Sequence, residues 1–362
     1  PWELGAPYEN VRLLELQKSL EDTDFFSAIS MTPEPDQAVD GKVPIRVQLV
    51  PGRRSVYNLG LRYGTDSGAG VVAGLERRWV NDRGHKLTLD TNLAQYNSLA
   101  TVQYRVPAFG WLDGWYSYGA TARERVIDEV TSQYIDVFAT RSGRLRGWNL
   151  LAGLNFKRER SDSLDSDEFN YVNLVYPSLW GQWRQADDIN TPQRGRALTM
   201  TVRGGSTALA SDVSFLQLSV AAQYIRGLGS DNRVLLRSEL GATSSNDFAR
   251  MPPSMRFFAG GDRSVRGYGY EEIGEDNGTN VVGGKYLAVA SVEFEHMFTP
   301  VWGAAAFVDA GDAFDQEIDV QYGVGAGLRW RSPVGPVRVD IAHGIGDANQ
   351  DVRLHISIGP DL

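Results

Sequence analysis

The segment Tyr322–Trp330, YGVGAGLRW, sets Tyr322, Val324, Ala326, Leu328 and Trp330 on one side of an extended chain and Gly323, Gly325, Gly327 and Arg329 on the other. A period of two, with branched or aromatic groups opposing small or charged ones, is the pattern of a strand with two unlike faces. It recurs in Lys86–Ala94, where Leu87, Leu89, Thr91 and Leu93 oppose Lys86, Thr88, Asp90 and Asn92. It recurs again in Val352–Ile358, where Val352, Leu354, Ile356 and Ile358 oppose Arg353, His355 and Ser357. From about Ser55 such runs follow one another, separated by turn residues, and counting them predicts sixteen strands. An even number returns the C-terminus to the side on which the chain enters.

A soluble sandwich would alternate too, but two features favour a membrane barrel. The runs commonly reach ten or more residues, near the ~9–11 that a tilted strand needs to cross a bilayer. Short turns (Asn81–Gly84, Gly229–Asn232, Thr299–Pro300, Ser332–Pro336) alternate with longer connections (Arg160–Asn170, Ser244–Lys285), as in outer-membrane barrels. Composition agrees. The most apolar stretches, Ala288–Phe294 and Ala304–Ala310, are strand-sized, mean hydropathy is −0.30, and no run approaches the ~18 apolar residues of a membrane helix. Glycine is plentiful (39), as are tryptophan (9) and tyrosine (15), which suit strands and interfacial girdles. A net charge of −9 disfavours a nucleic-acid partner, and the absence of cysteine excludes disulfides and thiolate metal sites. No nucleotide or metal motif is present, so no cofactor is expected. The chain starts at Pro1 without methionine or an apolar leader, which reads as a processed or shortened start.

Residues 1–52 differ from the rest. Glu9–Glu21 predicts a helix with Leu13, Leu16 and Leu20 on one face. Phe26–Thr32 predicts a strand, and Val43, Ile45, Val47 and Leu49 alternate as a half-buried one. This is the back half of a small α/β domain, leaving 53–362 for the barrel.

Inside the longest connection, Phe257–Tyr270 reads FFAGGDRSVRGYGY. Gly260, Gly261, Gly267 and Gly269 permit tight or positive-φ backbone. Without a strand-to-helix context or a Walker-type lysine, the segment is not a phosphate cradle. Arg266 needs a partner if buried, because an unpaired buried charge is costly. In Tyr286–Phe298 the apolar face is Tyr286, Ala288, Ala290, Val292 and Phe294, so Glu293 and Glu295 point inward, and alternation leaves both open as partners. In Trp302–Ala310 the same argument turns Asp309 inward. Lumenal carboxylates on adjacent strands suit a bidentate bond to a guanidinium. Gly323, Gly325 and Gly327 leave a stretch of wall free of side chains where a loop tip could rest. At the closing seam, the first strand (about Ser55–Tyr63) meets the last (Asp351–Gly359), which ends in Gly359–Pro360. Proline lacks an N–H and glycine weakens strands, so few hydrogen bonds are expected there, and the edge would be open to an incoming strand.

GGDRSVRGY resembles the loop-six motif of the Omp85 superfamily. GGKYLAVASVEFEH, AAFVDAGDAF and YGVGAGLRWRSPVGPVRVDIA resemble its strand 12, 13 and 14–15 motifs, in the family's order. Within the superfamily, PPSMRFFAGGDRSVRGY and the terminus ISIGPDL are most similar to TamA, the outer-membrane subunit of the translocation and assembly module. The likeness spans essentially the whole chain. Residues 1–52 resemble the end of a POTRA domain, with Gly5 and Tyr8 fitting its second-helix entry.

The resemblance implies an all-β fold, a 16-stranded antiparallel transmembrane β-barrel in the bacterial outer membrane, preceded by a partial α/β POTRA domain. It implies that loop six, about 244–285, folds into the lumen. Arg266 would be its key arginine, with Val265, Gly267 and Tyr268 completing the motif and Gly260 and Gly261 turning the loop. Asp309 and Glu293 would be the lumenal partners. The lateral seam would lie at Ser55, Val56, Tyr57, Ile358, Gly359 and Pro360. The implied partners are a TamB-like, inner-membrane-anchored, periplasm-spanning subunit, and client outer-membrane proteins such as autotransporters, or phospholipids. A two-partner secretion pore or a general barrel-assembly protein is the nearest alternative, and a passive porin a more distant one. An enzyme is not expected. Of the four histidines, His343 stands three residues from Asp340, but no nucleophile motif accompanies them.

Overall fold

A computed structural model describes the chain except for residues 1–6, 65–66, 109–113, 128–129, 162–169, 189, 277, 279, 333–334, 347–351 and 360–362. It begins with helix α1 (Asn10–Glu21), which buries Leu13 and leaves Leu16 and Leu20 half-buried. Beside it lies an antiparallel pair, β1 (Phe26–Pro33) and β2 (Ile45–Pro51), in register through Ile29 opposite Leu49. The second strand starts later than its alternation suggests, and Val47, Leu49 and Val50 are exposed, not half-covered. One helix packed on β1 leaves that part of the small sheet open.

Sixteen further strands form one antiparallel sheet in strict sequence order. They are β3 (Ser55–Gly64), β4 (Gly68–Arg77), β5 (Lys86–Ala94), β6 (Asn97–Ala108), β7 (Gly114–Ile127), β8 (Val130–Leu145), β9 (Trp148–Ser161) and β10 (Asn170–Ala186), followed by β11 (Arg194–Gly205), β12 (Phe215–Leu228), β13 (Asn232–Ser245), β14 (Tyr286–Met297), β15 (Trp302–Phe314), β16 (Gln321–Ser332), β17 (Gly335–Ile345) and β18 (Val352–Ile358). The predicted strand number and antiparallel order are those found. Boundaries moved a little: β4 ends early, so the turn expected at Asn81–Gly84 occupies 78–85, and loop six runs over 246–285.

The period of two becomes two surfaces. Val292, Phe294, Val308, Leu328 and Ile341 are exposed on the outside, while Glu293, Glu295 and Asp309 are buried within. At the end where the chain enters, Trp302 and Trp330 stack outward with ring centroids 5.5 Å apart. At the other end Tyr286 and Phe314 pair at the same spacing. Aromatic bands at both rims are how a lipid-facing wall meets its two interfaces. No helix among the described residues is long and apolar enough to cross a membrane.

Loop six shows that the sheet is rolled up. Its neighbouring residues Glu271 and Glu272 reach Arg125 on β7 and Arg353 on β18, each at 2.8 Å. These strands lie far apart in sheet order, and one loop tip meets both only if the sheet curves around it. Among the described residues no ladder joins β3 to β18, whose pairing is to β17 alone. Tyr57, Leu59 and Leu61 on β3 are 76%, 83% and 89% exposed, well above outward residues elsewhere in the wall, because no neighbouring strand flanks them.

Candidate functional site

Loop six is anchored at three places. The first is the arginine. Arg266 is 2% exposed. Its Nε donates to Asp309 Oδ2 at 2.7 Å and its Nη2 to Asp309 Oδ1 at 3.0 Å, a bidentate pair. Nη1 donates to Glu293 Oε2 at 2.6 Å and to Asp340 Oδ2 at 3.1 Å. The backbone N–H of Arg266 also donates to Asp309, at 3.1 Å. The guanidinium lies over the Phe307 ring, 3.3 Å from its centroid. Burial works against the charge, but the Asp309 hydrogen bonds and the three carboxylates outweigh it and hold the guanidinium above the ordinary arginine value.

The acids are shared. Arg329 on β16 donates to Glu293 (2.6 Å), Glu295 (3.0 Å) and Asp340 (2.5 Å). Arg233 on β13 donates to Glu295 at 2.5 Å. Glu293 therefore bridges the loop arginine to the wall, whereas Glu295 binds wall arginines. Alternation placed both inward and could not separate them. It also set Arg329 opposite the apolar face of its strand, but nothing in the local pattern joined Arg329 or Asp340 to Arg266. Three strands converge on one guanidinium, and convergence is a property of the rolled sheet.

The glycine wall completes the seat. A side chain at Gly323 would overlap the Arg266 carbonyl, and side chains at Gly325 and Gly327 would overlap Phe307 and Asp340. Gly267 has φ +99°, and a Cβ there would stand 2.6 Å from the Gly344 nitrogen. Only glycine combines that backbone with that approach. Gly260 and Gly261 also have positive φ, at the turn before the motif. Val265 is fully buried, and the Tyr268 hydroxyl stands 3.1 Å from both the Ile345 carbonyl and Gln321 Oε1.

The second anchor is the last strand. The Gly267 N–H donates to His355 Nε2 at 3.0 Å, and His355 Nδ1 lies 2.7 Å from Asp262 Oδ1. With Nε2 accepting, the proton sits on Nδ1 and is donated to the carboxylate. Arg353–Glu272 adds a second tie between β18 and the loop.

The third anchor lies on the opposite wall. Glu159 on β9, 1% exposed, accepts from the Ser254 N–H at 3.1 Å, from the Ser254 hydroxyl, and from Ser132 at 2.7 Å. Lys157 donates to Ser254 at 2.8 Å, and Gln217 donates to the Met255 carbonyl at 2.7 Å. Met251 and Met255 bury themselves against Leu174, Tyr176, Val213 and Phe215. Sequence reasoning missed this anchor, although Lys157 and Glu159 alternate with the outward Phe156 and Arg158 and were readable as inward.

One loop residue carries a pH dependence. Burial pushes the Glu271 carboxyl above its ordinary 4.5, and the Arg125 charge only partly opposes it. Relative to the unfolded chain, folding shifts this carboxyl toward its neutral form. The stability it lends is therefore full below about pH 4.5 and lost as pH rises through the raised value. Glu271→Gln is expected to remove that dependence and to leave thermal stability at neutral pH equal or higher. Melting curves of both proteins from acid to neutral pH, with unchanged slopes as the contrary result, check this.

At the seam, Ser55, Val56 and Tyr57 pair with Arg77, Glu76 and Leu75 of β4, and Ile358 pairs with Val337 of β17. Gly359 has φ +137°, and its N–H is given to the Pro336 carbonyl at 3.0 Å, away from β3. Pro360 lies outside the described residues.

Residues 80–361 match the model of the Omp85 superfamily domain. The chain belongs to the Omp85 superfamily. Its fold is similar to that of BamA from Haemophilus ducreyi lacking POTRA domains 1–3, with a TM-score of 0.84 and 16% identity over 99% of this chain and 80% of that one. CdiB from Acinetobacter baumannii is similar at a TM-score of 0.60 and 18% identity, over 96% of this chain and 68% of that one. Among curated proteins, the outer membrane protein assembly factor BamA of Nitratidesulfovibrio vulgaris is 23% identical over 97% of this chain. The match spans 46% of that relative, so the chain is about half its length.

This Omp85 protein is an integral component of the bacterial outer membrane, and its N-terminal helix and strand pair resemble part of a POTRA domain. The comparisons carry the superfamily and a BamA-like fold, and do not single out TamA. Within this Omp85 barrel the pair Asp340 and His343 cannot act together. His343 lies within β17 opposite Val324 on the outer face, and Asp340 faces the lumen. Three residues apart on a strand means opposite sides. Among the described residues no cluster of His, Asp and Glu could hold a metal ion.

Proposed function

We propose that this protein inserts or translocates other outer-membrane proteins at the seam between β3 and β18, without catalysing a chemical reaction. The observation that carries this is the unladdered edge. β3 offers a row of backbone groups and an apolar face to the membrane, and β18, at the other edge of the sheet, is laddered on one side only among the described residues. An edge of that kind takes up an incoming strand by β-augmentation. Asp309 and Glu293, by holding Arg266, would keep loop six seated in the lumen while the edge works.

The finer reading is a TamA-like subunit that aids autotransporter assembly, with phospholipid as a further cargo and a TamB-like periplasm-spanning partner. PPSMRFFAGGDRSVRGY and ISIGPDL support it. The BamA likenesses favour a second reading, general barrel assembly. The chain has no cysteine, so pairs engineered along β3 and β18 form the only possible disulfides. Oxidation is expected to stop client assembly and reductant to restore it, whereas full assembly with the seam locked would refute a seam mechanism. Depletion in cells then separates the readings: loss of autotransporters and phospholipid traffic fits the first, and loss of bulk porins the second.

A further inference from the structure

The outer wall carries a groove of about 550 Å³ across β5–β10, near the end remote from the N-terminal domain. Its lower level is a row of residues directly opposite one another on successive strands: Ala100, Ala122, Ile135 and Arg158. The level above runs Ser98, Glu124, Gln133, Arg160 and Tyr171. Two alanines between larger neighbours make the dent, and Ile135, 56% exposed, walls it. The result is an apolar trough leading to two arginines.

These arginines stand apart from others on the outside. Arg77, Arg141, Arg194, Arg196 and Arg226 also face outward, but all lie toward the periplasmic ends of their strands. On β9 the outward residues below Arg158 are Trp148, Leu150, Ala152, Leu154 and Phe156. That apolar run covers about 26 Å of strand, or roughly 19 Å of depth once tilted. Arg158 and Arg160 therefore emerge at the headgroup level of the outer leaflet. The Arg158 guanidinium stands over the Tyr171 ring, its Cζ 4.4 Å from the centroid, a cation–π contact that holds the side chain at the groove and uses none of its N–H groups as donors to oxygen. Glu124 is separated from Arg160 by Gln133 in the upper row, and from Arg158 by a further level. It faces the far side of the groove, where a sugar hydroxyl would be a suitable donor and a phosphate would be repelled.

We propose that this groove binds a phosphorylated glycolipid of the outer leaflet. An acyl chain lies over Ala100 and Ala122 beside Ile135, and a phosphate is held by the guanidinium groups of Arg158 and Arg160. A phosphate matches the planar fork of arginine in a bidentate, charge-assisted bond, and a low-dielectric interface strengthens it. The leaflet that meets this end of the barrel decides the source of the phosphate.

Titration of the detergent-solubilised protein with diphosphoryl lipid A, read by native mass spectrometry, tests the assignment. Wild type is expected to bind about tenfold more tightly than the Arg158→Ala/Arg160→Ala double variant. The periplasmic-end control Arg194→Ala/Arg196→Ala is expected to match wild type, as is the fold of all three by heat-modifiable migration. A dephosphorylated lipid A analogue should bind wild type no better than it binds the double variant. Equal affinities for wild type and the double variant would overturn the proposal, as would an equal loss in the control. Phosphatidylglycerol binding as tightly as lipid A would overturn the glycolipid assignment, since the groove would then read negative charge alone.

Discussion

Arg266→Ala is expected to unseat loop six and abolish client assembly. The variant leaves Asp309, Glu293 and Asp340 facing one another in the lumen without the one guanidinium that touches all three, while Arg329 bonds Glu293 and Asp340 and Arg237 stays 3.9 Å from Asp309. Removing one partner of a buried ionic cluster costs about 3–5 kcal/mol, much of it from the charges left behind. Arg266→Lys should rescue little, because one ammonium cannot replace a bidentate bond to Asp309 while also reaching two further acids. Nor should exchange of charges, Arg266→Glu with Asp309→Arg, restore function. A carboxylate at 266 would face Glu293 and Asp340, which a simple two-residue pair would not predict. Limited proteolysis of loop six in purified barrels checks all three. A loop as resistant in Arg266→Ala as in wild type would show that the seat does not depend on this residue.

Gly323→Ala is expected to have a comparable effect through volume alone. One methyl at Gly323 lands on the Arg266 carbonyl, part of the backbone, so no side-chain rotation relieves it. The loop must lift, and its bonds to Asp309 and to His355 must stretch together. Gly60→Ala on β3 is the matched control, since a Cβ there meets nothing within 4 Å. Protease sensitivity of loop six should rise sharply in the first and stay at the wild-type level in the second. Equal behaviour of the two would remove the steric argument.

The wall was readable because its rule is local. Alternation at Lys86–Ala94, Tyr322–Trp330 and Val352–Ile358 depends on neighbours one and two residues away, and burial follows it in the last two, while in the first the inward-face Asp90 is exposed, as Leu89 is. The same rule set Glu293, Glu295, Asp309 and Arg329 inward. It could not rank them, because which acid meets Arg266 depends on strand stagger and on how deeply the loop descends. His355 was read only as a polar-face residue, and its bond to Gly267 joins positions 267 and 355, which no short-range pattern connects. The anchor at Glu159 and Ser254 was hidden for the same reason, as a contact across the lumen. Boundaries shifted where a strand stops short of its turn residues, as at 78–85, which extends beyond Asn81–Gly84 on both sides.

The tie between His355 and the Gly267 amide also acts as a ruler. β18 is a short strand with one ladder partner, and a sliding strand keeps its faces only if it moves by two residues. Such a slide would bring Arg353 or Ser357 opposite the Gly267 N–H. Arginine has no acceptor to offer, and serine is too short to replace an imidazole that also grips Asp262. The seated plug thereby fixes the height of the chain's final segment. A newcomer docking alongside inherits an alignment already chosen.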